Sequence, residues 1–520
     1  MARLRGTWPP VAAAAERVYG LHPYQHKTDQ RQLAQARSST AGGKRRLRAG
    51  ILLGLTLACS GCDTVSGVTD SIFGPGNAPS QGQPGFVQGF LGGVVADEPR
   101  AALAAREVLS AGGTAADAAV ALGFVLSVTL PSRAGLGGGG GCLAYAADKK
   151  SVNEGVPEAV LFPPVAPASV GANADRPAAV PMLARGLYLL HARYGSLPFE
   201  SLIVPAEQLA RFGTPAPRAL VRDIALVAGP LLADPNARAV FSQNGAPLAE
   251  GQTLLQPDLG ATLASIRVSG VGDLYTGALA RRIVQASPLA GGPLALADLN
   301  GALPKMAPAI VLPNRRDKVA FLPPPADGGL AAAAAFETLQ RDPSALGTAA
   351  ARSLAVAERW RQGGADAQSL LTATDLTVTA LPPLPASTSF ATLDKNGNAV
   401  VCSLSMDNLF GTGRILPGLG VLLAASPAAV APPLYSAAIA WNDNVHAFRA
   451  AVGGSGQQGA PMAVAVGMLN ALRTNRPMAA EVPDPGRANV ISCFNYLPGE
   501  NGSCAWATDP RESGLAAGGS

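Results

Sequence analysis

Residues 387–413, S-T-S-F-A-T-L-D-K-N-G-N-A-V-V-C-S-L-S-M-D-N-L-F-G-T-G, constrain the architecture more than any other stretch. A hydroxyl cluster (Ser387, Thr388, Ser389) opens one strand, Asp394, Asn396 and Gly397 mark a tight turn, and a second strand returns from Asn398 to Met406 into a glycine loop. Just before it, from about Gly363 to Ala386, the chain turns polar and then proline-rich (L-P-P-L-P-A). That composition reads as a linker in which a processing site would be accessible. A hairpin with hydroxyls at its mouth is common, so chemistry needs further support.

The segments before the hairpin are helical. E-P-R-A-A-L-A-A-R-E-V-L-S predicts a helix from Pro99 to Ser110, stopped by Ala111-Gly112-Gly113, and a second starts at Thr114 or Ala115, with Asp117 in its first turn, and ends before Pro131. Pro131 to Gly141 reads as a glycine-rich loop that leads into a strand C-L-A-Y-A. A phosphate cradle is excluded there because the glycines enter a strand rather than a helix; close backbone packing is the better reading. Leu183, Leu187 and Leu190 line one side of a further helix with His191 at its end as a surface or capping residue, and D-L-Y-T-G-A-L-A-R-R-I-V predicts another. A strand, a proline turn and a helix beginning at Asp327-Gly328-Gly329 follow. More strands come late (Ser436–Trp441, Ala447–Val452, Asn489–Cys493), with a helix from Ala463 to Leu472, so the pattern is a layered α+β domain.

At 520 residues and 48% hydrophobic content the chain can bury a large core. With aromatics at only 5%, that core must be close-packed from small side chains. The net charge of +5 owes much to the first 48 residues, and no Lys/Arg run with interleaved aromatics occurs elsewhere, which argues against nucleic acid as a partner. The basic cluster K-R-R-L-R precedes a ten-residue apolar stretch, A-G-I-L-L-G-L-T-L-A, too short to span a bilayer and laid out like an export signal. Cys59 or Cys62 is then the candidate lipid-modified cysteine of a bacterial lipoprotein, exported to the periplasm or outer membrane. The expected organisation is a leader and signal over 1–62, a flexible tether over 63–90, and a folded part from there on. In an oxidising compartment Cys493 and Cys504, flanking a turn-rich loop, suit a local disulfide, whereas Cys142 and Cys402 read as buried strand residues. No cysteine or histidine spacing in the folded part matches a zinc site, and no cofactor is called for.

The order of the segments resembles the gamma-glutamyltransferase family of N-terminal-nucleophile hydrolases. The matching pieces are V-L-S-A-G-G-T-A-A-D-A-A-V-A-L, the proline and polyglycine loop at 131–141, Y-G-S-L-P-F, D-L-Y-T-G, L-P-P-P-A-D-G-G, D-K-N-G-N-A-V, F-G-T-G and T-D-P-R, in family order from about Gly92 to Arg511. The resemblance implies a four-layer αββα sandwich made from a large segment, 91–386, and a small segment, 387–520, of one precursor that stay associated after the chain cuts itself. It places the cut between Ala386 and Ser387. The hydroxyl of Ser387 would be the nucleophile and its freed α-amine the base, so no histidine is needed. Thr388 is the alternative nucleophile.

By the same resemblance, the backbone N–H groups of Gly456 and Gln457 form the oxyanion hole, with Gln457 in place of a family glycine. Ser405 matches a hydroxyl near the nucleophile. Tyr435 and Ser436 fall on a substrate-contacting serine pair. Asn153 stands where the family has an arginine for the donor α-carboxylate, and Asp407 stands where it has an asparagine. Losing that bidentate clamp removes the main reason for a zwitterionic glutamyl group to bind. Three readings follow: an amidohydrolase or acyltransferase acting on a small amide or peptide with altered donor preference, gamma-glutamyl transfer or glutathione hydrolysis proper, and a catalytically silent exported binding or structural protein.

Overall fold

The hairpin at residues 387–405 lies at the centre of a seven-stranded sheet, and the rest of the fold is arranged around it. The computed structural model describes residues 89–148, 155–168, 174–374, 376, 381–474 and 482–519, all within one unit, Pro75–Ser520. The expected leader with Cys59 and Cys62, nearly all of the tether, and Asn153 lie outside the described residues.

In chain order the strands of the two main sheets are β1 (Gly92–Ala96), β2 (Gly139–Tyr145), β3 (Glu158–Phe162), β4 (Lys305–Pro308), β5 (Ile310–Asn314), β6 (Asp317–Phe321), β7 (Ser387–Asp394), β8 (Ala399–Ser405), β9 (Ser436–Asn442), β10 (Ala447–Ser455), β11 (Arg487–Leu497), β12 (Cys504–Ala507) and β13 (Leu515–Gly518). The first sheet runs β13-β1-β7-β8-β2-β3-β4 and the second β12-β11-β10-β9-β6-β5. Every pairing is antiparallel.

Alternation along the strands divides the side chains between two layers. On one face of the first sheet, Phe390, Cys402 and Leu404 join the core of the N-terminal helices. On the other face Ala391, Leu393 and Val401 meet Ala437, Ile439 and Ala451 of the second sheet. Outside the second sheet, Val319, Ala438 and Val452 pack under three later helices. The result is an αββα sandwich.

The helices form where local chemistry dictates. Helix α1 (Pro99–Ser110) has proline in its first turn, and the Glu98 carboxylate accepts the N–H groups of Arg100 and Ala101. Helix α2 (Ala115–Thr129) starts with a capping box between Thr114 and Asp117, and every one of its residues is buried, as a central helix requires. Helix α3 (Leu183–Tyr194) buries Leu183, Leu187 and Leu190 on one side. At its end the His191 ring lies 2.7 Å from the Leu197 carbonyl. Helices α4 (Asp327–Arg341), α5 (Leu346–Arg361) and α6 (Ala460–Arg473) cover the second sheet.

Three expectations need correction. The glycine-rich stretch is not a loop throughout: Pro131–Ala134 is a helical turn and Gly139–Gly141 are the first residues of β2. Glycine is required because a Cβ on Gly140 would sit 2.2 Å from the Ser403 carbonyl oxygen across the ladder. The run D-L-Y-T-G-A-L-A-R-R-I-V makes two helices, Asp273–Thr276 and Ala278–Ala286, because Gly277 leaves the helical region between them. The Ala386–Ser387 junction is not an exposed linker, since Ser387 is only 2% accessible and already belongs to β7. Cys142 and Cys402 are buried strand residues as expected, and in addition stand directly opposite each other in β2 and β8 and form a disulfide. Their separation of 260 residues gives no local sign of that pairing. Cys493 and Cys504 form the second disulfide.

Candidate active site

The site is built where β7 begins. Ser387 pairs with Ser405 and Ser389 with Ser403, so four serines occupy two opposed pairs on the face turned toward the second sheet. Ser405 Oγ donates to the Ala386 carbonyl at 2.8 Å. The Asp407 N–H in turn donates to Ser405 Oγ at 3.0 Å. This relay ends on the carbonyl of the one peptide bond that Ser387 Oγ would have to attack. A donor placed there stabilises negative charge as it develops on that oxygen.

Thr388 points the other way. Its hydroxyl donates to Asp97 Oδ2 at 2.7 Å, and Asp97 also accepts from Ser389 N at 3.1 Å and from Asn489 Nδ2 at 2.7 Å. Asn489 donates to the Ser389 carbonyl at 2.8 Å as well. Thr388 is therefore part of a buried clamp joining β1, β7 and β11 rather than a free hydroxyl. Asp97 and Asn489 escaped the sequence reading because a single Asp and a single Asn carry no spacing signal; their partners lie 291 and 392 residues away in the chain.

The Gly456-Gln457 pair ends β10. Two features force the backbone there: Gly456 has φ +101°, and a Cβ on it would lie 2.1 Å from the Pro485 carbonyl oxygen. Gln457 follows at φ +54°. Nearby in β10, Gly453 lies against Ser389, whose Cβ would be 2.8 Å from an added methyl, so this end of β10 is on the serine face of β7. Asp407 at φ +55° and Phe410 at φ +58° are also left-handed without being glycine. Such backbone costs about 1–3 kcal/mol per residue and clusters at functional sites.

Asp407 and Tyr435 are brought together: Tyr435 Oη donates to Asp407 Oδ1 at 3.2 Å, and both are buried. Burial pushes the Asp407 carboxyl up to about 7, the tyrosine hydroxyl pulling the other way, and pushes the Tyr435 phenol up further from its usual range. Ser436 Oγ is turned back onto the Leu434 carbonyl at 2.9 Å. Beyond Asp407, residues Asn408–Gly413 wall a cavity of about 310 Å³. The loop is held by Phe410 N–H donating to the Ser132 carbonyl at 2.9 Å, and the turn carrying Ser132 is pinned by Arg133, which grips Asp223 through Nε and Nη2 at 2.8 and 2.7 Å. Among the described residues no cluster of His, Cys, Asp and Glu could hold a metal ion.

The sequence profile of the gamma-glutamyltranspeptidase family matches residues 101–382. The chain belongs to the gamma-glutamyltranspeptidase family. Over 410 residues this family member is 28% identical to a glutathione hydrolase proenzyme of Escherichia coli (strain K12), a match covering 69% of this chain and 68% of that one. It is 33% identical over 250 residues to glutathione hydrolase 3 of Arabidopsis thaliana, and 34% over 191 residues to the capsule biosynthesis protein CapD proenzyme of Bacillus anthracis. Those two matches span only 39% and 34% of the relatives' lengths, and 46% and 37% of this chain. Among solved structures, cephalosporin acylase from Bacillus halodurans superposes with a TM-score of 0.66 at 20% identity, covering 86% of this chain and 99% of that one. That likeness concerns the fold. The family match ends ahead of Ser387.

Proposed function

We propose that the chain is a self-processing amidohydrolase or acyltransferase with Ser387 as nucleophile and a donor preference shifted away from gamma-glutamyl groups. The observation that carries this reading is the Ser405 hydroxyl bound to the Ala386 carbonyl at the head of β7. In the precursor, Ser387 Oγ adds to the Ala386 carbonyl carbon, Ser405 holding the oxygen as it becomes anionic. The C–N bond breaks, the amine of Ser387 takes a proton, and water hydrolyses the resulting ester to leave an Ala386 carboxylate and a free Ser387. The mature Ser387 then uses its own α-amine to accept the hydroxyl proton as it attacks a substrate amide. Its acyl ester passes to water or to an acceptor amine. Gly456 and Gln457 N–H groups are assigned to the tetrahedral oxygen in that second cycle.

The relatives' names support the same reading, since the proteins matched in Escherichia coli and Bacillus anthracis are proenzymes. A shifted donor preference rests on Asn153 in place of a family arginine and on Asp407, which is buried, bound to Tyr435 and held as a neutral acid up to about pH 7. We also assign the chain to an exported, lipid-anchored state in the periplasm or outer membrane. The signal-like leader and the two disulfides support it.

A panel of 4-nitroanilides tests the function: gamma-glutamyl, simple acyl and carboxyacyl. The expected result is turnover of at least one non-glutamyl amide faster than the glutamyl one, abolished by Ser387→Ala. Preferred turnover of the glutamyl anilide would return the chain to gamma-glutamyl transfer, and no turnover of any amide by the cut protein would reject the enzyme reading.

A further inference from the structure

Far from the serines, four arginines surround one cavity on the outer side of the second sheet. It measures about 480 Å³ and is walled by Arg315, Arg316, Arg449 and Arg473, with Asp317 and Phe494 beside them. Arg449 lies near the start of β10 and Gly456 just past its end, about 20 Å apart along the strand. The cavity is therefore separate from the candidate active site.

Two irregularities of the backbone bring these charges together. Arg449 is an extra residue in its strand: Phe448 and Ala450 pair with Trp441 and Ala440 of β9 and with Leu497 and Ser492 of β11, and Arg449 has no partner in either ladder. Such a bulge re-aims a side chain. Here it sends the guanidinium to the end of α6, where Nη2 donates to the Ala471 and Leu472 carbonyls at 2.8 and 3.4 Å, and Nη1 donates to Ser492 Oγ at 2.8 Å and the Cys493 carbonyl at 3.3 Å. Arg315 and Arg316 are the two residues of the turn that joins β5 to β6, and Arg315 holds φ +55°, a left-handed position that glycine or asparagine fills at lower cost.

The protein does not neutralise these charges. Asp317 is the one carboxylate in the wall, and it accepts from Tyr496 Oη at 2.8 Å and from Asn442 Nδ2 at 3.1 Å. Among the described residues none of the four arginines forms an ion pair, whereas neighbouring Lys318 is paired with Asp443 at 2.6 Å. Four guanidiniums against one carboxylate repel one another and favour an anion between them. Arg449, only 2% accessible, also covers the last carbonyls of α6 and so cancels the negative helix end that would otherwise oppose an anion. Burial pulls its guanidinium below the usual range, Asp317 pulling the other way, and an anion in the cavity would relieve that cost.

We propose that this cavity binds the phosphoryl end of an anionic ligand, a phosphomonoester or diphosphate group. Guanidiniums reach it from three elements: the β5–β6 turn, the β10 bulge and the end of α6. A tetrahedral phosphoryl group offers three oxygens to forks arriving from different directions, whereas a planar carboxylate is filled by one or two. Arg315, Arg316 and Arg473, all exposed, supply the contacting donors, and Arg449 supplies the buried charge. Phe494, 38% accessible, offers an apolar seat to the part of the ligand that follows the phosphate. That chemistry is shared by a free phosphorylated metabolite and by a phosphorylated lipid headgroup. The site does not depend on Ser387 being a nucleophile.

The test uses the full-length Cys59→Ser/Cys62→Ser protein, so that no lipid on either candidate cysteine contributes, with and without Arg315→Ala/Arg473→Ala. Both of these arginines are exposed, and an unchanged urea midpoint checks that the second protein is folded. Calorimetry at fixed ionic strength measures binding of diphosphate and of citrate. Sedimentation measures binding to phosphatidylcholine vesicles mixed with phosphatidic acid or, at equal surface charge, with phosphatidylglycerol. Diphosphate binding that exceeds citrate binding and weakens by about tenfold to a hundredfold without the two arginines, the range for a hydrogen bond to a charged group, supports the site with a free ligand. Phosphatidic acid binding that exceeds phosphatidylglycerol binding and is lost with the two arginines supports it with a lipid headgroup. Citrate matching diphosphate together with phosphatidylglycerol matching phosphatidic acid would reduce the cavity to charge attraction and overturn the phosphoryl assignment. So would no binding in either assay, or binding indifferent to the two arginines.

Discussion

Replacing Asp407 by asparagine should stabilise the protein in a pH-dependent way. Asp407 is 2% accessible, and burial lifts its pKa from 3.8 to about 7. Between those values the folded chain holds a proton that the unfolded chain has released, so stability falls as pH rises through that window. The stability associated with the neutral acid is fully present below pH 3.8 and has been lost above about 7. Three pK units at 1.36 kcal/mol each give a ceiling of about 4 kcal/mol for the burden of the charged form. Asparagine has nearly the shape of the protonated acid, keeps an oxygen for Tyr435 Oη, and cannot ionise. The assay is urea unfolding of Ser387→Ala and Ser387→Ala/Asp407→Asn at pH 5 and pH 8, the first substitution keeping each sample a single uncut chain. The advantage of Asp407→Asn should grow by roughly 2–3 kcal/mol between the two pH values. A constant gap, or a variant less stable at pH 8, would mean that the carboxylate is ionised and partnered, and the reading of Asp407 as a neutral acid would fail.

Other consequences follow from named contacts. Cys142 precedes the Ala386–Ser387 junction and Cys402 follows it, so cut protein should run as one band on a denaturing gel without reductant and as two bands with it; two unreduced bands would contradict the disulfide. Gly456→Ala should lower turnover by at least about a hundredfold, because the backbone must abandon φ +101° or push Pro485 away, and unchanged kinetics would remove this loop from the site. Thr388→Val should still cut at Ala386–Ser387 and lose about 1–3 kcal/mol of stability as Asp97 forfeits a buried partner; an uncut but folded Thr388→Val would put the nucleophile back in question.

Much of the αββα layering was legible because it rests on local signals. The capping box at Thr114–Asp117 and the turn around Gly397 announce α2 and the β7–β8 hairpin, and the leucines of α3 fall at helical spacing. The turn shows why such signals work. Asp394 Oδ1 accepts the N–H groups of Asn396 and Asn398, its other oxygen accepts the Ala115 N–H at the start of α2, and Gly397 takes the left-handed conformation. What stayed hidden is what only the folded sheet creates. Cys142 meets Cys402 because β2 and β8 are neighbours, and strand alternation turns the Thr388 hydroxyl onto Asp97, the residue after β1. Nor does composition separate a proline-rich linker from its buried end: Ser387, the proposed nucleophile, is ordered into a strand, as cutting by the chain itself rather than by a visiting protease would require.

The most direct test of this account is mass spectrometry of the purified, reduced wild-type protein alongside Ser387→Ala. The account predicts a fragment that begins at Ser387 with a free amine in the wild type, and an unbroken chain in the variant. An intact Ala386–Ser387 bond in folded wild-type protein, or a cut at that bond in the variant, would contradict it.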